Sequence, residues 1–104
     1  MFIVYGRDNC KYCTKAKELL TELGLDFKYI DVVASQADNL FMQRHVIRAT
    51  GEMARTVPQI FSVTTISGGS IHIGGYDNLR EILLHDGYIK ADEVKDTDSF
   101  QMDL

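Results

Sequence analysis

Two hydrophobic periods alternate along this chain. Phe2, Ile3, Val4 and Tyr5 form an unbroken apolar run, the pattern of a strand covered on both faces. Gly6-Arg7-Asp8-Asn9 interrupts it, and Asn9 or Asp8 is the expected N-cap of a helix. Ala16, Leu19, Leu20 and Leu23 then recur at helical spacing, with Lys15, Lys17, Glu18 and Glu22 between them, up to a stop at Gly24. Phe27 to Val33 returns to strand character through Phe27, Tyr29 and Ile30. Strand, helix, strand in this order predicts a parallel pair with a right-handed crossover.

The second half is less regular. Residues from about Gln36 to Arg48 predict a helix with Ala37, Leu40, Phe41 and Ile47 as its inner stripe, ending near Thr50-Gly51. Gln59 to Val63 is a strand, Ser67-Gly68-Gly69-Ser70 a hairpin turn, and Ser70 to Ile73 a short antiparallel return. After Gly74-Gly75, Leu79, Ile82 and Leu83 mark a last helix that closes near Gly87. The expected architecture is an α/β fold: a four-stranded mixed sheet flanked by about three helices on both faces. One domain over residues 1–88 carries these elements. The polar stretch over residues 89–104 is expected to be a loosely docked extension.

Composition narrows the function. At 104 residues the chain fits one domain with a core of its own. A net charge of −4 disfavours a general nucleic-acid binder, and no segment has the apolar length of a bilayer-spanning helix. The short uncharged start lacks the form of a secretory signal, so a cytoplasmic, reducing location is expected. There, two cysteines are more suited to catalysis or metal binding than to a fixed bridge.

Cys10-Lys11-Tyr12-Cys13 falls where the first strand passes into the first helix. The thiolate is the reactive form, and an ordinary cysteine near pKa ~8.5 is only slightly ionised at neutral pH. A helix N-terminus offers unpaired N–H groups and partial positive charge, to which Arg7 and Lys11 add. Both terms favour the Cys10 anion. Cys13, one turn on, can point back to attack a mixed disulfide on Cys10. The bland alternative makes both cysteines small core residues. A structural zinc site needs four ligands, and His45, His72 and His85 have no ligand-like spacing, so no metal is expected.

Two weaker signals follow. Pro58 is the only proline and precedes a strand. It reads either as a plain strand start or as a cis bend that leaves the Val57 backbone free to pair with an extended substrate. Gly74-Gly75-Tyr76-Asp77-Asn78 reads as a capped helix start whose N–H groups can also hold a carboxylate.

These three blocks together resemble the glutaredoxin family over about residues 2 to 87. Cys10-Lys11-Tyr12-Cys13 is similar to its C-P-Y-C site, Arg55-Thr56-Val57-Pro58-Gln59-Ile60-Phe61 to its T-V-P-x-I-F block, and Ile73-Gly74-Gly75-Tyr76-Asp77-Asn78-Leu79 to its I-G-G-x-x-D-L block. The resemblance implies a thioredoxin-like fold and glutathione as reducing co-substrate, with no permanently bound cofactor. It implies Cys10 as attacking and Cys13 as resolving thiol. It further implies a glutathione site of Arg7, Tyr12, Thr56, Val57, Pro58, Gly75, Tyr76, Asp77 and Asn78. Expected partners are disulfide-containing client proteins, of which ribonucleotide reductase is a common one in the family, and a monomer is expected. Lys11 replaces the usual proline and Asn78 the usual aspartate, and the Ser67–Ser70 turn is longer than usual. Loss of that carboxylate predicts weaker glutathione binding. The alternatives are a redoxin fed by a thioredoxin reductase and a glutathione-bridged Fe–S binding protein; Cys13 argues against the second, whose signature has serine there.

Overall fold

The structure is a computed structural model that describes residues 1–64 and 68–89. The expected extension beyond Ile89, and part of the Ser67–Ser70 turn, lie outside the described residues, while Ile89 itself packs on the core that holds Leu20 and Leu83, and its N–H donates to the Leu83 carbonyl at 3.3 Å. The elements run β1 (Phe2–Gly6), α1 (Lys11–Glu22), β2 (Phe27–Asp31), α2 (Gln36–Thr50), β3 (Gln59–Val63), β4 (Ser70–Gly74) and α3 (Tyr76–His85). The sheet order is β2-β1-β3-β4. β1 and β2 are parallel, with Val4 opposite Tyr29, while β1/β3 and β3/β4 are antiparallel. This is the mixed four-stranded sheet that the hydrophobic pattern predicts.

β1 is apolar throughout because each face feeds a different core. Val4 packs with Ala16 and Leu20 of α1, Leu79 and Leu83 of α3, and Ile60. Tyr5 points the other way, to Val32, Phe61 and the α2 residues Met42 and Val46. The fully buried Tyr5 ring keeps its hydroxyl satisfied by His45 Nδ1 at 2.8 Å. Burial, and secondarily the charge of Asp38, push the Tyr5 hydroxyl up to about pKa 12.

Two expectations are corrected. The inner stripe of α2 is not Ala37, Leu40, Phe41 and Ile47, all of which are exposed; Met42 and Val46 are buried instead. The reason is that half-buried Asn39, Gln43 and His45 share the inward face, so polar residues occupy positions that the periodicity assigns to apolar ones. The second correction concerns the N-cap of α1, which is Cys10 rather than Asn9 or Asp8. Asn9 is left-handed (φ 58°) and turns the chain, leaving the extended cap conformation to Cys10.

A bulge separates two steps of the β3/β4 ladder: Ile60 faces Gly74, but Phe61 faces His72. Ile73 is the extra residue, and it packs into the α1/α3 core. β1 ends, β3 begins and β4 ends on the same edge of the sheet. The three motifs of the sequence are attached to these strand ends.

Candidate redox site

Gly6 ends β1, and the chain turns through Arg7–Asn9 into α1. As N-cap, Cys10 places its sulfur 3.2 Å from the Cys13 N–H, which it accepts. Serine, threonine or aspartate oxygen ordinarily fills this role. Here the helix's open N–H group is aimed at a sulfur. Cys10 and Cys13 are joined as a disulfide with Cα atoms 5.2 Å apart. Cys13 is 1% exposed and Cys10 7%, so Cys10 is the sulfur nearer to solvent. Cys13 sits under β1: a Cβ on Gly6 would lie 2.9 Å from its Sγ and 2.6 Å from the Tyr29 hydroxyl oxygen. Glycine at position 6 is therefore what allows Cys13 to lie flat against the strand.

The second block comes from the other side. Val57–Pro58 is a cis peptide, and the Val57 carbonyl oxygen lies 3.8 Å from Cys10 Sγ. The preceding loop is pinned to α2 by one side chain. Gln43 Nε2 donates to the Ala54 carbonyl at 3.1 Å, and Gln43 Oε1 accepts the Ala54 N–H at 2.8 Å. An open groove of about 400 Å³ runs between α2 and this loop, bordered by Arg7, Gln43, Arg55, Thr56 and Val57. Arg7 is exposed at its edge, with Nη1 donating to the Asp8 carbonyl at 3.2 Å.

The third block closes the site. A Cβ on Gly75 would lie 3.9 Å from the Pro58 carbonyl oxygen, so the helix start abuts the cis-proline bend. Gly75 is the N-cap of α3, and its N–H donates to Asn78 Oδ1 at 3.0 Å. Asn78 is thus engaged with its own helix, tucked against Gly74, whose φ of +116° only glycine adopts easily. Asp77 is exposed. Tyr12 and Tyr76 face each other with ring centroids 6.0 Å apart. Lys11 Nζ lies 5.7 Å from the Tyr12 centroid.

The structure therefore gathers Cys10, Cys13, Tyr12, Val57, Pro58, Gly75 and Tyr76 around one sulfur pair, with Arg7 and Thr56 on the groove beside it. Sequence reasoning missed Gln43 and Gln59. The second is 8% exposed, and its Nε2 donates to the Thr56 carbonyl at 2.9 Å. A long polar side chain directly after Pro58, just before the apolar pair Ile60-Phe61, was the available signal. His45 and His72, considered as ligand candidates, are taken up by hydrogen bonds to Tyr5, Ser70 and Gln59.

Such a site can hold a peptide-like thiol extended along Val57, place its sulfur on Cys10, and supply a second thiol from one helical turn away. Comparison with known proteins agrees with this geometry. The glutaredoxin family model matches residues 2–65. A glutaredoxin of Vernicia fordii is 39% identical over 75 residues, covering 72% of this chain and 64% of that protein. The glutaredoxin of Enterobacteria phage T4 is 35% identical over 91 residues, covering 78% of this chain and 97% of that one. A crystal structure of buckwheat glutaredoxin with glutathione superposes with a TM-score of 0.61 at 31% identity, over 84% of this chain and 70% of that one. The chain spans less than two thirds of the Vernicia protein and nearly all of the phage protein.

Proposed function

Because this chain belongs to the glutaredoxin family, we propose that it is a glutathione-dependent thiol–disulfide oxidoreductase working through Cys10 and Cys13. The observation that carries the reading is the position of Cys10 Sγ. It accepts the N–H of Cys13 and lies 3.8 Å from the carbonyl of Val57, a residue that also borders the groove edged by Arg7 and Arg55. The buckwheat relative was crystallised with glutathione, which supports the choice of thiol.

In the proposed reaction the reduced Cys10 thiolate attacks a sulfur of a client disulfide. The client's S–S bond breaks, one client sulfur leaves as thiolate and takes a proton from solvent, and the other stays bonded to Cys10. Cys13 then attacks the Cys10 sulfur, which releases the client dithiol and forms the Cys10–Cys13 disulfide. A glutathione thiolate attacks Cys10, leaving glutathione bonded to Cys10 and Cys13 as the thiol. A second glutathione removes the first as glutathione disulfide. When the substrate is itself a glutathione mixed disulfide, Cys10 takes the glutathione directly and Cys13 is not needed.

In this reading the tripeptide lies extended along Val57, with its glycine carboxylate toward Arg7 and its γ-glutamyl end over Gly75, Tyr76, Asp77 and Asn78. Tyr12 packs beside it. Exposed arginines at one end and helix-start N–H groups at the other suit a ligand with a carboxylate at each end. In this reading the reaction runs in a reducing compartment, where a pair of cysteines suits catalysis.

The test is turnover of a small glutathione mixed disulfide with glutathione, glutathione reductase and NADPH. Steady NADPH loss that disappears in Cys10→Ser is the expected result. No turnover, with reduction of the Cys10–Cys13 disulfide by a thioredoxin reductase instead, would replace glutathione with that enzyme as the reductant.

A further inference from the structure

Thr56 and Val57 carry the backbone against which a substrate would be laid, yet no regular ladder holds them. They precede β3 and follow a loop. What fixes Thr56 is a side chain. Gln59 stands opposite Tyr5 in the β1/β3 ladder, on the same face as Phe61, and its amide reaches back three residues to the Thr56 carbonyl at 2.9 Å. The other end of that amide meets His72: the Gln59 Oε1 to His72 Nε2 distance is 2.8 Å.

The chemistry of these atoms sets the direction of the whole chain of bonds. The Thr56 carbonyl can only accept, so the amide nitrogen of Gln59 must face it. The amide oxygen then faces His72, and His72 Nε2 must carry a proton. Burial holds His72 below its ordinary pKa, so near neutral pH it is the neutral ring with hydrogen on Nε2. The ring is placed by the bulge in β4, which sets His72 opposite Phe61, with centroids 5.0 Å apart and the rings tilted by 62°. If the Gln59 amide were flipped, an oxygen would face the Thr56 oxygen. With its proton on Nε2, His72 donates to the unflipped amide oxygen and so adds to the preference that the Thr56 carbonyl sets.

We propose that Gln59 and His72 are positioning residues: His72 fixes the orientation of the Gln59 amide, and Gln59 fixes the Thr56–Val57 backbone for the incoming peptide-like disulfide. The assignment rests on the glutaredoxin reading above and adds residues to that site that do not themselves touch the substrate. The residue pair acts on binding and leaves the thiol chemistry at Cys10 alone.

The experiment is steady-state turnover of the glutathione mixed disulfide by wild type, Gln59→Met, His72→Phe and the double variant. Methionine keeps the length of glutamine and phenylalanine the bulk of histidine, so packing is retained while the hydrogen bonds are lost. KM should rise about tenfold in Gln59→Met and about threefold in His72→Phe, from loss of one ordinary hydrogen bond or part of it. kcat and the rate of Cys10 alkylation by iodoacetamide should stay near wild type. The double variant should be no worse than Gln59→Met, because the two residues act through one bond. An unchanged KM, a parallel fall in kcat and alkylation, or fully additive effects would each overturn the proposal. Should Gln59→Met fail to fold, the KM of His72→Phe alone decides. If wild type itself does not turn over the substrate, the glutaredoxin reading fails, and the positioning proposal fails with it.

Discussion

Replacing Asn78 by aspartate tests how the third motif is built. Asn78 Oδ1 accepts the Gly75 N–H at 3.0 Å from the third position of α3. Aspartate keeps the shape and turns a neutral acceptor into a charged one. Hydrogen bonds to charged groups contribute about 1.5–3 kcal/mol, against about 0.5–1.5 for neutral pairs, and a negative charge in a first helical turn about 0.3–1. Asn78 is exposed and Asp77 adds like charge next to it, so the net gain belongs at the low end, about 0.5–1 kcal/mol. In a domain of this size that raises Tm by about 2–8 °C. The sign of the pH dependence follows from the charge. The new carboxyl is held below its unfolded value of about 3.9, so the gain is complete well above that value and is lost as pH falls through the folded one. Thermal unfolding of the oxidised protein near neutral pH and near pH ~2 measures both. An equal Tm change at both pH values, or none at either, would refute the capping argument. The same variant should lower KM for the glutathione substrate several-fold if an ammonium group lies here. A Tm gain without a KM change would keep the cap and remove the ammonium from this corner.

Other outcomes follow from the same geometry. Cys13→Ser should retain removal of glutathione from mixed disulfides and lose reduction of protein disulfides; equal loss of both activities would contradict the division of roles. Gly6→Ala sets a methyl group 2.9 Å from Cys13 Sγ and 2.6 Å from the Tyr29 hydroxyl, so it should cost about 1–3 kcal/mol in urea unfolding, and a neutral result would mean that Cys13 is not packed there. His45 and His72 are both held below the ordinary histidine value, chiefly by burial, with Arg48 and then His72 adding for His45. The folded chain then binds fewer protons than the unfolded one between the lowered values and about 6.5, so stability should be level above that point and fall as pH drops through the window beneath it. Urea midpoints across this range measure it, and a midpoint that rises on acidification in the window would be the contrary result.

Much of this was legible in the residues. β1 is readable because Phe2–Tyr5 serve two cores at once, and a strand covered on both faces has no polar positions to blur it. The cysteine, proline and glycine blocks could be placed because each marks a change of element. The inner face of α2 was not legible. Gln43 is turned inward to hold Ala54 and His45 to hold Tyr5 and Ser70, and nothing local announces a partner that lies 11, 40 or 25 residues away. Leu40, Phe41 and Ile47 meanwhile face outward, so a reading that buries apolar residues rotates the helix the wrong way. The N-cap was missed for a chemical reason. Cysteine is not among the residues that ordinarily cap helices, yet here the Cys10 sulfur accepts the Cys13 N–H from an extended cap conformation.

The sheet also has an end remote from the cysteine pair. Val63 pairs with Ser70, and the Thr64 N–H closes on the Gly69 carbonyl at 2.9 Å, at the opposite end of β3 from Pro58. Gln59 and Gly74 lie at the near end, where Gln59 holds the Thr56 carbonyl and Gly74 meets Asn78, and the length of the strands separates the two ends. The span between Thr64 and Gly69 is therefore a natural port for an insertion. Added residues there increase the closure entropy only slowly and leave Cys10, Val57 and Gly75 in place. A fluorescent reporter spliced into that connection would ride on the domain as a redox probe while the thiols keep their own reactivity.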